Sequence, residues 1–136
     1  MEQRVEQKIN EIQDYLEEFG TIMPASFEEY NSDLLKKAAC ERYFEKIMSS
    51  AESLALMILR NKQLPFPEAD SAAYLVLSEN MIIESELSQK LSELEQMRKI
   101  ILNPDEFIED AELYGLINEK LISSVSELLE AIKMVE

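Results

Sequence analysis

Two glycines and four prolines are a small supply of turn-making residues for a chain of 136. A strand-rich fold needs many tight reversals, so this scarcity favours a few long helices joined by few connections. The apolar spacing points the same way. Val5, Ile9, Ile12, Leu16 and Phe19 fall at intervals of 4, 3, 4 and 3, with Glu, Gln and Lys between them. That is one narrow stripe of an amphipathic helix, which Gly20 is expected to end. "TIMPASFEEYNS" reads as a loop with room for one helical turn. Ser32 or Asp33 then caps a long helix from Leu34 to about Asn61, with a stripe of Leu35, Ala39, Tyr43, Ile47, Ala51, Leu54 and Ile58.

"KQLPFPEADS" is the clearest loop, with two prolines in three residues. A short helix follows Ser71, and "IIES" leads into another from about Ser85 to Leu102. After a break at Asn103-Pro104, a last helix runs from about Asp110 to Val135 on Leu113, Ile117, Leu121, Leu128 and Ile132. No stretch alternates as a strand does, so the expected fold is all-α: one domain over residues 1–136, an up-down bundle of four to five helices. Helices this long leave apolar surface for a partner chain. The seven methionines, scattered at helical spacing, read as core.

Charge and residue types narrow the function. With 28 acidic and 13 basic side chains the net charge is −15, so a polyanion such as RNA, or an anionic membrane, approaches against the field. No apolar run approaches the roughly 20 residues of a membrane-spanning helix. "MEQRVEQKINEI" lacks the layout of a signal peptide, and the lone Cys40 suits a reducing compartment, so a cytoplasmic protein is expected. The chain has no histidine. That removes Ser-His-Asp and Cys-His arrangements, Cys/His zinc sites and the Glu-x-x-His pairs of di-iron bundles. No phosphate loop can be built on Gly20 and Gly115, and neither a cofactor nor a metal is expected. Acidic pairs such as Glu17-Glu18, Glu28-Glu29 and Glu109-Asp110 read as solvated faces or first helical turns.

One position breaks its own pattern. Leu87, Leu91, Leu94 and Ile101 mark a stripe in which the next apolar slot holds Arg98, five residues before the helix stops at Asn103-Pro104. Arg98 could pair with Glu95 one turn back, or lay its aliphatic stem over the stripe with its head in water.

The order of "AACERYFEKIMSSAESLALMIL", a Pro-rich loop, "IIESELSQKLSELEQMR" and "DAELYGLI" resembles the HepT family of small helical proteins, within the wider HEPN group. The resemblance implies a homodimeric all-α bundle, a toxin ribonuclease neutralised by a minimal nucleotidyltransferase (MNT) antitoxin encoded beside it. It also implies an active motif of arginine, four residues, histidine, one residue and tyrosine, placed so that two copies face a cleft between protomers. Here the arginine falls on Arg98, the histidine position on Asn103 and the tyrosine position on Asp105, while Tyr114 lands on a tyrosine of the family's last helix. Asparagine cannot shuttle a proton near neutrality, and Asp105 puts a negative charge where phosphate would sit. The tyrosine that the family's antitoxin modifies is missing as well.

The candidate site is therefore a degenerate Arg98, Asn103, Asp105 motif, and three readings follow. The first is a HepT-like protein with weak or lost ribonuclease activity that binds a nucleotidyltransferase-like partner. The second is an RNA endonuclease toxin working through Arg98 and a carboxylate such as Asp105. The third is a helical adaptor. Beside all three stands a plain structural role for "NPDE" as a helix or turn start, with Asn103 as cap and Pro104 at the first position.

Overall fold

The computed structural model describes residues 2–69 and 72–136. The last two residues of the "KQLPFPEADS" loop lie outside the described residues, and the short helix expected after Ser71 begins at Ala72. Among those described, every element is helical: α1 (Gln3–Ile22), α2 (Phe27–Ser32), α3 (Leu34–Asn61), α4 (Ala72–Glu79), α5 (Ser85–Leu102), α6 (Asp110–Leu116), a π-helical stretch (Ile117–Leu121) and α7 (Ile122–Val135). The last three form one helix with a widened turn in its first half. The expected all-α bundle is observed, with α2 added as an element of its own.

α1 lies along α3, α4 packs on both α3 and α5, and α5 packs on α7, so α3 and α5 are the central pair. One apolar core runs through the bundle, from Val5, Ile12 and Phe19 of α1 through Phe44, Ile47, Leu54 and Ile58 of α3 to Leu91, Leu94, Leu121 and Leu128. Fully burying a Leu, Ile or Phe side chain contributes about 1.5–3 kcal/mol. This common interior therefore holds together helices whose own turns would be marginal in water.

Several boundaries differ from the expectation, each for a physical reason. α1 passes through Gly20 and stops at Met23, whose N–H is accepted by Phe19 O and whose backbone is extended. The residue before a proline is disfavoured in the α region, so Pro24 sets this stop and Gly20 does not. α2 is fixed by Ser26, whose hydroxyl accepts from Glu29 N–H at 3.2 Å. Asp33, not Ser32, caps α3, accepting from the N–H groups of Leu35 and Lys36.

The α3 stripe is also corrected at its start. Leu34 and Leu35 are exposed, and the buried face enters at Cys40, Phe44, Ile47 and Met48, because the first turns of α3 overhang the core. The methionines are not uniformly core: Met48 is buried, whereas Met81 and Met134 stand in solvent.

With so little glycine, two turns are made by other residues. α3 ends with Gln63 at φ 56°, Gln63 N–H on Arg60 O and Leu64 N–H on Leu59 O. α4 ends in the same way with Met81 at φ 62°, Met81 N–H on Ser78 O and Ile82 N–H on Leu77 O. Both are Schellman closures in which a side chain occupies the left-handed position that glycine normally takes.

Candidate functional site: the Arg98 cluster and the Asn103 turn

Arg98 lies in the last turns of α5, on the face towards α3. Its Nε donates to Glu95 Oε1 at 2.6 Å, and its Nη2 donates to Glu52 Oε2 at 2.9 Å and also reaches Glu95 Oε1. Glu95 is the partner one turn back that the spacing allowed. Glu52, 46 residues away on α3, was not foreseen. It had left a signal, being the one charged residue between Lys46 and Arg60, inside the apolar half of a long helix.

The cluster is dry. Glu95 is 0% exposed, and the side chains of Arg98 and Glu52 are 15% and 14% exposed. Two ionised carboxylates against one guanidinium would leave a net negative charge here, which a medium of low polarity disfavours. Burial accordingly pushes the Glu95 carboxyl up to about 7; Arg98 pulls it down and Glu52 pushes it further up. Glu95 Oε2 and the Tyr74 hydroxyl are both buried without a protein hydrogen-bond partner. Burial, and next the charge of Glu95, hold the Tyr74 phenol well above its ordinary range. A carboxyl that keeps its proton into the neutral range is thus held against the arginine.

The other two motif positions serve a turn. Asn103 ends α5, donating its N–H to Ile100 O. Its Oδ1 accepts from Asp105 N–H at 3.0 Å and its Nδ2 donates to Glu106 Oε1 at 3.1 Å, while Glu106 N–H closes on Asn103 O. "NPDE" is therefore an Asx-braced β-turn, with Pro104 at the second position and its fixed φ suited to it. It is not a helix start, because α6 begins only at Asp110. Asp105 is exposed. Among the described residues no hydrogen bond or ion pair links it to Arg98. Leu102 and Phe107, the latter 82% exposed, flank the turn with apolar surface. Tyr114 is buried, donating its hydroxyl to Pro24 O at 3.0 Å and packing 5.1 Å from the Tyr30 ring.

What this arrangement can do follows from its free atoms. The Nε and Nη2 of the fork that would hold a phosphate are engaged by carboxylates from two helices, and the Asn103 amide is neither an acid nor a base near neutrality. Among the described residues no three carboxylate or thiol side chains gather as a metal would require.

A helical bundle of this shape has counterparts among solved structures. The structure aligns with a tri-AMPylated Shewanella oneidensis HEPN toxin, solved in complex with an MNT antitoxin, at a TM-score of 0.90 and 16% identity over 98% of this chain and 99% of that one. A second toxin–antitoxin structure, solved with AMP-PNP, aligns at 0.85 and 15% identity over 96% and 97%. The cytosolic protein YutE of Bacillus subtilis, of unknown function, aligns at 0.81 and 13% identity over 97% and 87%. Among curated proteins none matches by sequence. The family model described as Ribonuclease HepT-like matches residues 8–135, and the chain belongs to that family.

Proposed function

We propose that this chain is a HepT-like protein of a toxin–antitoxin type module whose ribonuclease activity is weak or lost, and that it acts as a homodimer binding a nucleotidyltransferase-like antitoxin. The observation that carries this reading is the state of the motif arginine. Arg98 spends Nε and Nη2 on Glu95 and Glu52, while Asn103 and Asp105 brace a turn where the family pattern has histidine and tyrosine. Without a proton-transfer group, metal-independent cleavage of RNA falls by about 10²–10⁴-fold. The HEPN toxins solved with antitoxins support the partner class. Exposed Leu102 and Phe107 beside the turn support a second protomer there.

The test is RNA cleavage at neutral pH by the unaltered protein and by the variant Asn103→His/Asp105→Tyr. The unaltered protein is expected to be inactive, the variant to gain cleavage, and Arg98→Lys in the variant to lose it, since lysine keeps the charge but not the fork. Vigorous cleavage by the unaltered chain, abolished by Asp105→Ala, would replace this reading with that of an active carboxylate-dependent endonuclease.

A further inference from the structure

At the end of the bundle remote from Asn103, the α4–α5 connection and the start of α5 face the last turns of α7 across an open groove of about 700 Å³. Its floor and lips include Met81, Ile83, Leu87, Ala131 and Met134. Two of these side chains are unusually bare, Met81 at 89% and Met134 at 86% exposed. Met81 is also held out by the left-handed backbone at the end of α4. Methionine is flexible and polarisable, which suits a surface that must fit an apolar partner. Three exposed glutamates, Glu84, Glu127 and Glu130, line the same groove, and no lysine or arginine does. Two cations stand at its edge: Lys133, 3.8 Å from Glu130, and Lys62, which donates to Val135 O at 3.2 Å.

We infer that this groove is a docking site for a basic amphipathic helix of a partner protein, whose apolar stripe enters between Met81 and Met134 and whose lysines or arginines meet Glu84, Glu127 and Glu130. Charge selects this occupant. A second copy would bring the same three carboxylates and a net charge of −15, and an anionic membrane would be repelled in the same way. A neutral apolar ligand would leave the glutamate rim without a role. A helix lying in a groove reads out as anchors at i, i+3 or i+4, and i+7, and the groove's apolar floor between acidic rims matches that layout. The site lies at the opposite end of α5 from Arg98 and stands whether or not the toxin–antitoxin reading holds.

The test uses the full chain and a labelled amphipathic peptide of about five helical turns, leucines on one stripe and lysines on the other, with a control in which every lysine is glutamate. Fluorescence anisotropy at physiological salt is expected to show saturable binding of the lysine peptide only. Met81→Asp/Met134→Asp, and separately Glu127→Lys/Glu130→Lys, should each weaken it by roughly tenfold or more. The charge-matched control Asp14→Lys/Glu17→Lys, on the exposed face of α1, should leave it within about twofold. Equal binding of both peptides, or equal losses from groove and α1 variants, would overturn the proposal. So would a fall in the mass of the protein in solution caused by the methionine variant, which would make a second copy the occupant.

Discussion

Glu95, wholly shielded from solvent, accepts the Nε–H of Arg98 at 2.6 Å and leaves its other oxygen buried and unpartnered. This pairing links the fold to the family motif, because the residue that best resembles catalytic machinery is here tied into the α3–α5 interface. It also gives the protein a titrating group near neutrality in a chain without histidine.

Stability should depend on that proton. Burial raises the Glu95 carboxyl from its ordinary 4.5 to about 7, so between those values the folded protein holds a proton that the unfolded chain has released. Its contribution is fully present below pH 4.5 and is lost as pH rises through about 7. One proton supplies at most about 1.4 kcal/mol per pH unit. Glu29, held low by Lys36, acts with the opposite sign and below this window. Urea midpoints from pH 5 to 8 should fall for the unaltered protein and flatten for Glu95→Gln. A slope unchanged by that substitution would show that Glu95 is not the group responsible.

Removing the cation is expected to do more damage than removing its partners. Arg98→Met leaves Glu52 and Glu95 in a dry interface with nothing between them, and breaking a buried ion pair from one side costs about 3–5 kcal/mol. Replacing all three, as Arg98→Met/Glu95→Leu/Glu52→Leu, should recover most of that loss, because apolar side chains of similar size carry no desolvation cost. Equilibrium unfolding of the single and triple variants measures both. An Arg98→Met loss under about 1 kcal/mol would mean the cluster is better hydrated than its burial indicates.

Helical class, five of the helices and the exceptional place of Arg98 were legible because each depends on local spacing. The rest depended on what lies across the fold. Glu52 and Arg98 meet only because α3 and α5 are neighbours, which the periodicity of either helix does not encode. Leu35 fits the apolar repeat of α3, yet it is 83% exposed, which only the tertiary arrangement reveals. Asn103-Pro104 marked a break correctly, but whether asparagine caps a helix or braces a turn is decided by the backbone after it. The π-helical stretch at Ile117–Leu121 left no mark in the apolar pattern, which reads through it as one continuous helix.

The left-handed turns should reward glycine. Gln63 sits at φ 56° in the closure after α3, where a side chain costs about 1–2 kcal/mol and glycine costs almost nothing. Part of the gain is offset by the greater freedom of glycine in the unfolded chain. Gln63→Gly is therefore expected to raise stability by about 0.5–1 kcal/mol, read as a higher denaturation midpoint at unchanged m-value. A destabilisation would mean that the Gln63 side chain makes a contact worth more than its strain.

The self-association proposed for this chain can be separated from its chemistry. A protomer has a mass of 15.7 kDa, so a dimer should scatter as about twice that. Leu102, 51% exposed, and Phe107, 82% exposed, flank the Asn103 turn with apolar surface available to a second protomer. A stable interface buries about 800 Å² per partner, and apolar side chains at its centre dominate the loss on substitution. Leu102→Glu/Phe107→Glu changes only exposed positions, so the helical content and unfolding midpoint of the protomer should stay close to those of the unaltered chain. Its mass by light scattering should drop to the monomer value at micromolar concentration. A mass of 15.7 kDa for the unaltered protein at every concentration would remove the dimer. A dimer indifferent to both substitutions would place the interface on another face, away from the turn.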